Sequence, residues 1–156
     1  MTFRPAPIGG VLVLLLVLAG GCSKDVGAND LEAGDCTADE LGATVEDVDT
    51  VACDTEHRYE VFATFALEGD DGADFPGRSE VESDAAAGCN GDRFEEHVGI
   101  PYEDSTLHTT FLVPTEDTWD RAGDRTVVCF VFEPADPAGG DLSPVTVESS
   151  FEGAER

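Results

Sequence analysis

In Thr126–Phe132, TVVCFVF, every residue after the first is apolar, so an extended chain here would be apolar on both faces. Val, Phe and Thr suit pleated backbone. A strand that is apolar on both faces needs cover on both, which places this one centrally in a sheet. Working outward, Arg58–Leu67 (RYEVFATFAL) alternates, setting Tyr59, Val61, Ala63, Phe65 and Leu67 on one face of a second strand. Val48–Cys53, Thr106–Val113 (Leu107, Phe111 and Val113 on one face) and Val145–Phe151 read as further strands. Between them lies a helical pattern from about Ser79 to Cys89. Ser79 with Glu82 forms a capping-box pair, and Val81, Ala85 and Cys89 recur every four residues on one face. Asn90-Gly91 interrupts it, and Arg93–Val98 reads as a second short helix. Glu68–Phe75, Pro114–Arg125 and Pro134–Asp141 read as a charged loop, a long turn carrying Trp119 and Gly123, and a Pro/Gly loop. There is no internal repeat. The fold class expected is α+β: a small, mostly antiparallel sheet with one helical region packed on a face, and two disulfides.

The chain has 156 residues, with 34 acids against 8 Lys and Arg, a formal net charge of −26. That balance excludes a nucleic-acid partner, because phosphate contacts need clustered bases. It also excludes electrostatic docking on anionic lipid. High charge favours disorder, but 41% apolar residues and nine Phe favour a packed core.

The N-terminus has the layout of an export signal. Arg4 supplies a short positive region, Val11–Leu18 (VLVLLLVL) is unbroken apolar sequence, and Ala19-Gly20-Gly21-Cys22 follows. The apolar run Ile8–Gly21 is 14 residues, short of the ~20 that span a bilayer. Its end resembles a bacterial lipobox, with Ala19 where Leu is usual, so residues 1–21 are expected to be a lipoprotein signal peptide and Cys22 the lipidated first mature residue. Removing residues 1–21 takes away Arg4 and no acid, leaving 34 acids against 7 bases over 135 residues. Ser23–Ala33 (SKDVGANDLEA) is polar and without apolar periodicity, so residues 22–33 read as a lipid-anchored tether. Extended, its 11 residues would reach about 35 Å.

Cys22 aside, Cys36, Cys53, Cys89 and Cys129 remain, and four cysteines in an exported domain read as two disulfides with three pairings open. No Cys-x-x-Cys occurs, and Cys53 with His57 is the one close Cys/His pair, so a metal centre is not expected. A helix laid on the sheet would point Cys89 at the central strand that carries Cys129. Cys36 and Cys53 bracket a short segment ending in a strand. The favoured pairing is therefore Cys36–Cys53 and Cys89–Cys129.

Several of these residues stand in a familiar order. Gly34-Asp35-Cys36 precedes Val51-Ala52-Cys53-Asp54, His57, Glu60 and Val61; then come Pro76-Gly77, Cys89, Pro114-Thr115, Trp119, Gly123-Asp124-Arg125 and Val128-Cys129. This resembles the septum-formation domain family of actinobacterial exported and membrane-anchored proteins, from about Gly34 to Gly153. The most specific piece is Cys-Asp-x-x-His-x-x-Glu-Val at Cys53–Val61. Glu148–Gly153 is similar, more loosely, to the family's closing Ser-and-Gly segment. The resemblance implies an extracytoplasmic envelope domain at residues 34–153, followed by a tail at 154–156, linked to septum formation and with no catalytic residues to carry over.

His57 beside Glu60 is the best candidate for chemistry, since an imidazole and a carboxylate can serve as base and orienter. A nucleophile is lacking, with the cysteines oxidised and no Gly-x-Ser-x-Gly elbow. The competing reading is that His57 fixes a turn beside the disulfide. Trp119 is a candidate binding anchor, weighed against packing over the sheet edge. Asp70, Asp71 and Asp74 could suit calcium but lack EF-hand spacing. His97 and His108 fall in no motif. The expectation is a non-enzymatic envelope module without cofactor or metal. Its partners would be the membrane, through its lipid, and envelope or division proteins or the cell wall. A small-solute or cation-binding lipoprotein is the alternative, and a cleft shared by His57, Glu60 and Trp119 would favour it.

Overall fold

The computed structural model describes residues 24–42, 45, 47–69 and 72–156; the signal segment, Cys22, Asp70 and Asp71 lie outside the described residues. The strands are β1 (Lys24–Gly27), β2 (Cys36–Thr37), β3 (Asp47–Val51), β4 (Tyr59–Ala66), β5 (His108–Leu112) and β6 (Thr126–Phe132). The helices are α1 (Arg78–Asn90), α2 (Asp92–Val98) and α3 (Glu116–Ala122). One six-stranded sheet runs β1-β3-β2-β4-β6-β5, with every neighbouring pair antiparallel. The α+β architecture, an antiparallel sheet bearing a bent helical region, is as expected. No helix among the described residues is long and apolar enough to cross a membrane.

The run TVVCFVF is β6, held between β4 and β5 and buried from Val127 to Phe132. Its alternate residues feed two cores. Val127, Cys129 and Val131 meet Val81, Ala85 and Cys89 of α1 and Phe94 and Val98 of α2. Val128, Phe130 and Phe132 meet Leu31, Val48, Tyr59 and Val61 on the opposite face. Gly88 lets α1 approach the sheet closely: a Cβ there would collide with the Phe65 ring.

Strand β4 departs from simple alternation. The β4–β6 register shifts between Val61 and Ala63, leaving Phe62 as an extra, bulged residue. Tyr59 and Val61 therefore serve one core, while Phe62 and Leu67, with Ala63 and Phe65 against them, serve the helix-side core. The single shared face expected from the sequence is split in two. Glu60, alternating with Tyr59 and Val61 and paired with Val131, lies on the helix side of the sheet, a buried position for a carboxylate.

Four local expectations are corrected. The segment expected to be a lipid-anchored tether, residues 22–33, supplies β1, paired with β3, and Leu31, which is buried in the second core. Backbone pairing asks little of side-chain pattern, so a polar stretch can still close a sheet edge. The long turn 114–125 contains α3, capped by a reciprocal Thr115–Thr118 box and closed by Gly123 in a left-handed conformation. Ser79 does not cap α1, whose N-cap is Gly77; Glu82 instead takes the Arg78 guanidinium at 2.6 Å. Val145–Phe151 forms no strand, only one isolated bridge, His57 with Val147.

Candidate functional site

The Cys53–Val61 motif is a turn leading into β4, and its residues converge on the C-terminal segment. His57 is fully buried, and it exchanges backbone hydrogen bonds with Val147 at 2.9 and 2.8 Å. Its Nδ1 lies 2.8 Å from the Thr55 carbonyl. A carbonyl can only accept, so Nδ1 carries the proton and donates it. Nε2 is buried with no hydrogen-bond partner among the described residues, and the ring meets Phe151 edge-on. His57 thus fixes the turn and the tail, with no surface from which to exchange a proton with a substrate.

Glu60 is 2% exposed. Its Oε2 accepts from the Phe151 backbone N–H at 2.7 Å, and its Oε1 accepts from the Ser150 hydroxyl at 2.9 Å. His97 Nε2, from α2, lies 3.0 Å from Oε1, close in distance although not aligned as a hydrogen bond. Burial alone would raise the Glu60 carboxyl; His97, the Phe151 N–H and the Ser150 hydroxyl together outweigh it and hold the group below its ordinary value. Further along the tail, Gly153 N–H donates to the His97 carbonyl at 2.8 Å, and Glu155 N–H to that of Val98 at 2.9 Å. Glu60 is therefore an anionic post on which the tail is hung. His97 and Ser150, which complete it, are not marked by any spacing in the sequence. The signal nearest to them is the similarity of Glu148–Gly153 to a family segment.

Trp119 sits in a different part of the molecule. It is 3% exposed, its indole N–H donates to the Ala73 carbonyl at 2.9 Å, and Phe75 meets it edge-on. The Arg125 guanidinium lies over the ring at 3.5 Å. His57, Glu60 and Trp119 form no common cleft. His57 and Glu60 line neither the hollow of about 160 Å³ beside Trp119 nor the groove of about 710 Å³ at the end of β5.

The cysteines pair as Cys36–Cys53 and Cys89–Cys129. The first joins β2 to the turn before β4; the second ties α1 to the central strand. Cys36, Cys53 and Glu60 offer ligand atoms within 4.8 Å of one another. With both sulfurs spent in a disulfide, they supply no thiolate for a metal. Asp74, the described member of the loop acids, is exposed.

A family model described as septum formation matches residues 33–154, nearly all of the chain outside the N-terminal segment. No curated protein and no solved structure matches it.

Proposed function

This chain belongs to the septum-formation family, and on that premise we propose that it is a lipid-anchored, extracytoplasmic envelope module that works by contact near the division site rather than by catalysis. The observation that carries the reading is the use made of the motif. The two groups best suited to acid–base chemistry, His57 and Glu60, are buried and committed to holding the C-terminal tail. Two disulfides suit an oxidising compartment. The apolar run ending in Gly20-Gly21-Cys22 suits export followed by lipidation. Lys24 opens β1 two residues after Cys22, so the anchored domain would rest close to the bilayer rather than on a long tether. Two or more acyl chains make such an anchor stable.

The test is Cys22→Ala with fractionation and mass measurement of the N-terminus. The reading expects loss of the processed membrane species, with the protein released or left unprocessed. A variant that still fractionates as a processed membrane protein contradicts it.

A further inference from the structure

Among the described residues, strand β5 is an outer strand of the sheet, paired only with β6. Its other edge offers backbone donors and acceptors in a row, the usual template for an added strand. At the C-terminal end of that edge opens the groove of about 710 Å³, within the ~300–1,000 Å³ typical of ligand sites. Phe111, Leu112 and Val113 line it, each only half-buried. Acids stand around them: Asp30 from the turn after β1, Glu116 from α3 and Asp124 before β6. Arg78, the one cation among the described residues that line the groove, is held by Glu82 at 2.6 Å. The groove is thus apolar along its floor, negative at its rim and adjoins a strand edge that no other described strand covers.

We propose that the β5 edge and this groove bind an extended, Lys- or Arg-bearing peptide segment of a partner protein, adding it as a strand beside β5. Main-chain hydrogen bonds to the edge supply affinity, and alternate side chains fall into the groove or outward, as in other strand-addition interfaces. The acidic rim selects basic residues and speeds their encounter. The proposal names a partner class for the contact function above and rests on that reading for its biological setting. The binding test below does not depend on anchoring or location, so failure here leaves the Cys22 result standing, and the reverse.

The experiment uses the full chain in a nonionic detergent and fluorescence anisotropy of a labelled acetyl-(Val-Lys)4-amide peptide, at physiological salt. Binding is expected for this peptide and not for acetyl-(Val-Glu)4-amide. The double variant Asp30→Lys/Glu116→Lys should weaken it about tenfold or more. The control Glu56→Lys/Glu103→Lys, with the same change in net charge on exposed residues outside the groove, should leave it nearly unchanged. A Lys peptide N-methylated at alternate residues keeps its side chains but loses one row of backbone donors, and should also bind about tenfold more weakly. Circular dichroism confirms that each variant is folded, and Asp30→Asn/Glu116→Gln replaces the charge-inverted pair if it is not. The proposal is overturned by absence of binding up to about 1 mM peptide or by equal losses in both double variants. Undiminished binding of the methylated peptide, or displacement by spermine at matched charge, overturns it as well.

Discussion

Glu60 lies directly opposite Cys36 across the β2–β4 pair, its carboxylate within 4.8 Å of both sulfurs of the Cys36–Cys53 disulfide. One short patch of sheet therefore carries a covalent staple and a buried anion side by side. The anion in turn holds Ser150 and Phe151. The motif is a structural joint where β2, β4, α2 and the tail meet.

The joint makes an acid-dependent stability. The Glu60 carboxyl is held below its ordinary value in the folded chain, so the unfolded chain takes up its proton first as pH falls. The stabilisation is complete above about pH 4.5 and is lost as pH drops through the lower folded value. Glu60→Gln should flatten the dependence of unfolding free energy on pH in this acid window. Glu60→Ala leaves the Phe151 N–H buried without an acceptor and should cost about 2–3 kcal/mol at neutral pH. Urea titrations from pH 3 to 7 check both, and an unchanged acid slope in Glu60→Gln contradicts the role given to this residue.

The two disulfides differ in access. Cys89 and Cys129 are fully buried, whereas Cys53 is only half-buried. Graded reduction followed by alkylation and peptide mapping should therefore open Cys36–Cys53 first. In the chain-entropy view, the 17- and 40-residue separations are worth about 3 and 4 kcal/mol, so removing Cys89–Cys129 should be the costlier change. A crossed linkage in the unreduced protein would refute the pairing.

Gly88 sets propensity against packing. Ala is the better helix former by about 1 kcal/mol. A Cβ at this position meets the Phe65 ring, which is itself covered by the Arg93 guanidinium at 4.3 Å. Overpacking typically costs about 1–3 kcal/mol, so Gly88→Ala should lower the melting temperature. A rise would mean that α1 can move off the sheet freely.

Charge crowding has a definite location at the sheet edge. Asp25 and Asp49 face each other across β1 and β3. The hydrogen bond that a protonated Asp49 carboxyl donates to the Asp25 carboxylate, and then the Asp25 charge, raise the Asp49 carboxyl, with burial and Asp39 adding to the effect. At neutral pH the opposed carboxylates weaken the pairing of β1. Sodium chloride shortens the Debye length from about 10 Å at 0.1 M to 3 Å at 1 M. A chain lacking residues 1–22, which removes no described element, should accordingly gain melting temperature with salt, and potassium chloride should act nearly as well. Asp25→Asn should raise the melting temperature at low salt and reduce its salt dependence. A much larger effect of a divalent ion at matched ionic strength would point to a cation site instead.

The parts legible in the sequence were those where side-chain pattern and burial agree. TVVCFVF could only be central, and the four-residue recurrence of Val81, Ala85 and Cys89 named the face of α1 that meets it. The disulfide pairing followed from those two placements. Elsewhere the deciding interactions leave no period. The bulge at Phe62 reverses which residues face which core, and a bulge shifts register without changing composition. β1 is fixed by backbone bonds to β3, so its polar side chains hid it. α3 is nucleated by a Thr115–Thr118 box too short to register as a helical pattern. Val145–Phe151 alternates like a strand but is tied by the Glu60 carboxylate and by a single bridge to His57. For the same reason no sequence pattern marks His97: its importance lies in proximity to Glu60 across 37 residues of chain.

The central claim is an envelope module displayed outside the membrane at the division site. An epitope placed after Arg156, at the exposed end of the chain, would be stained by antibody in intact, unpermeabilised cells of the native host. The account predicts surface staining concentrated at septa, abolished by Cys22→Ala. Staining that required permeabilisation, or that was spread evenly with no enrichment at septa, would contradict it.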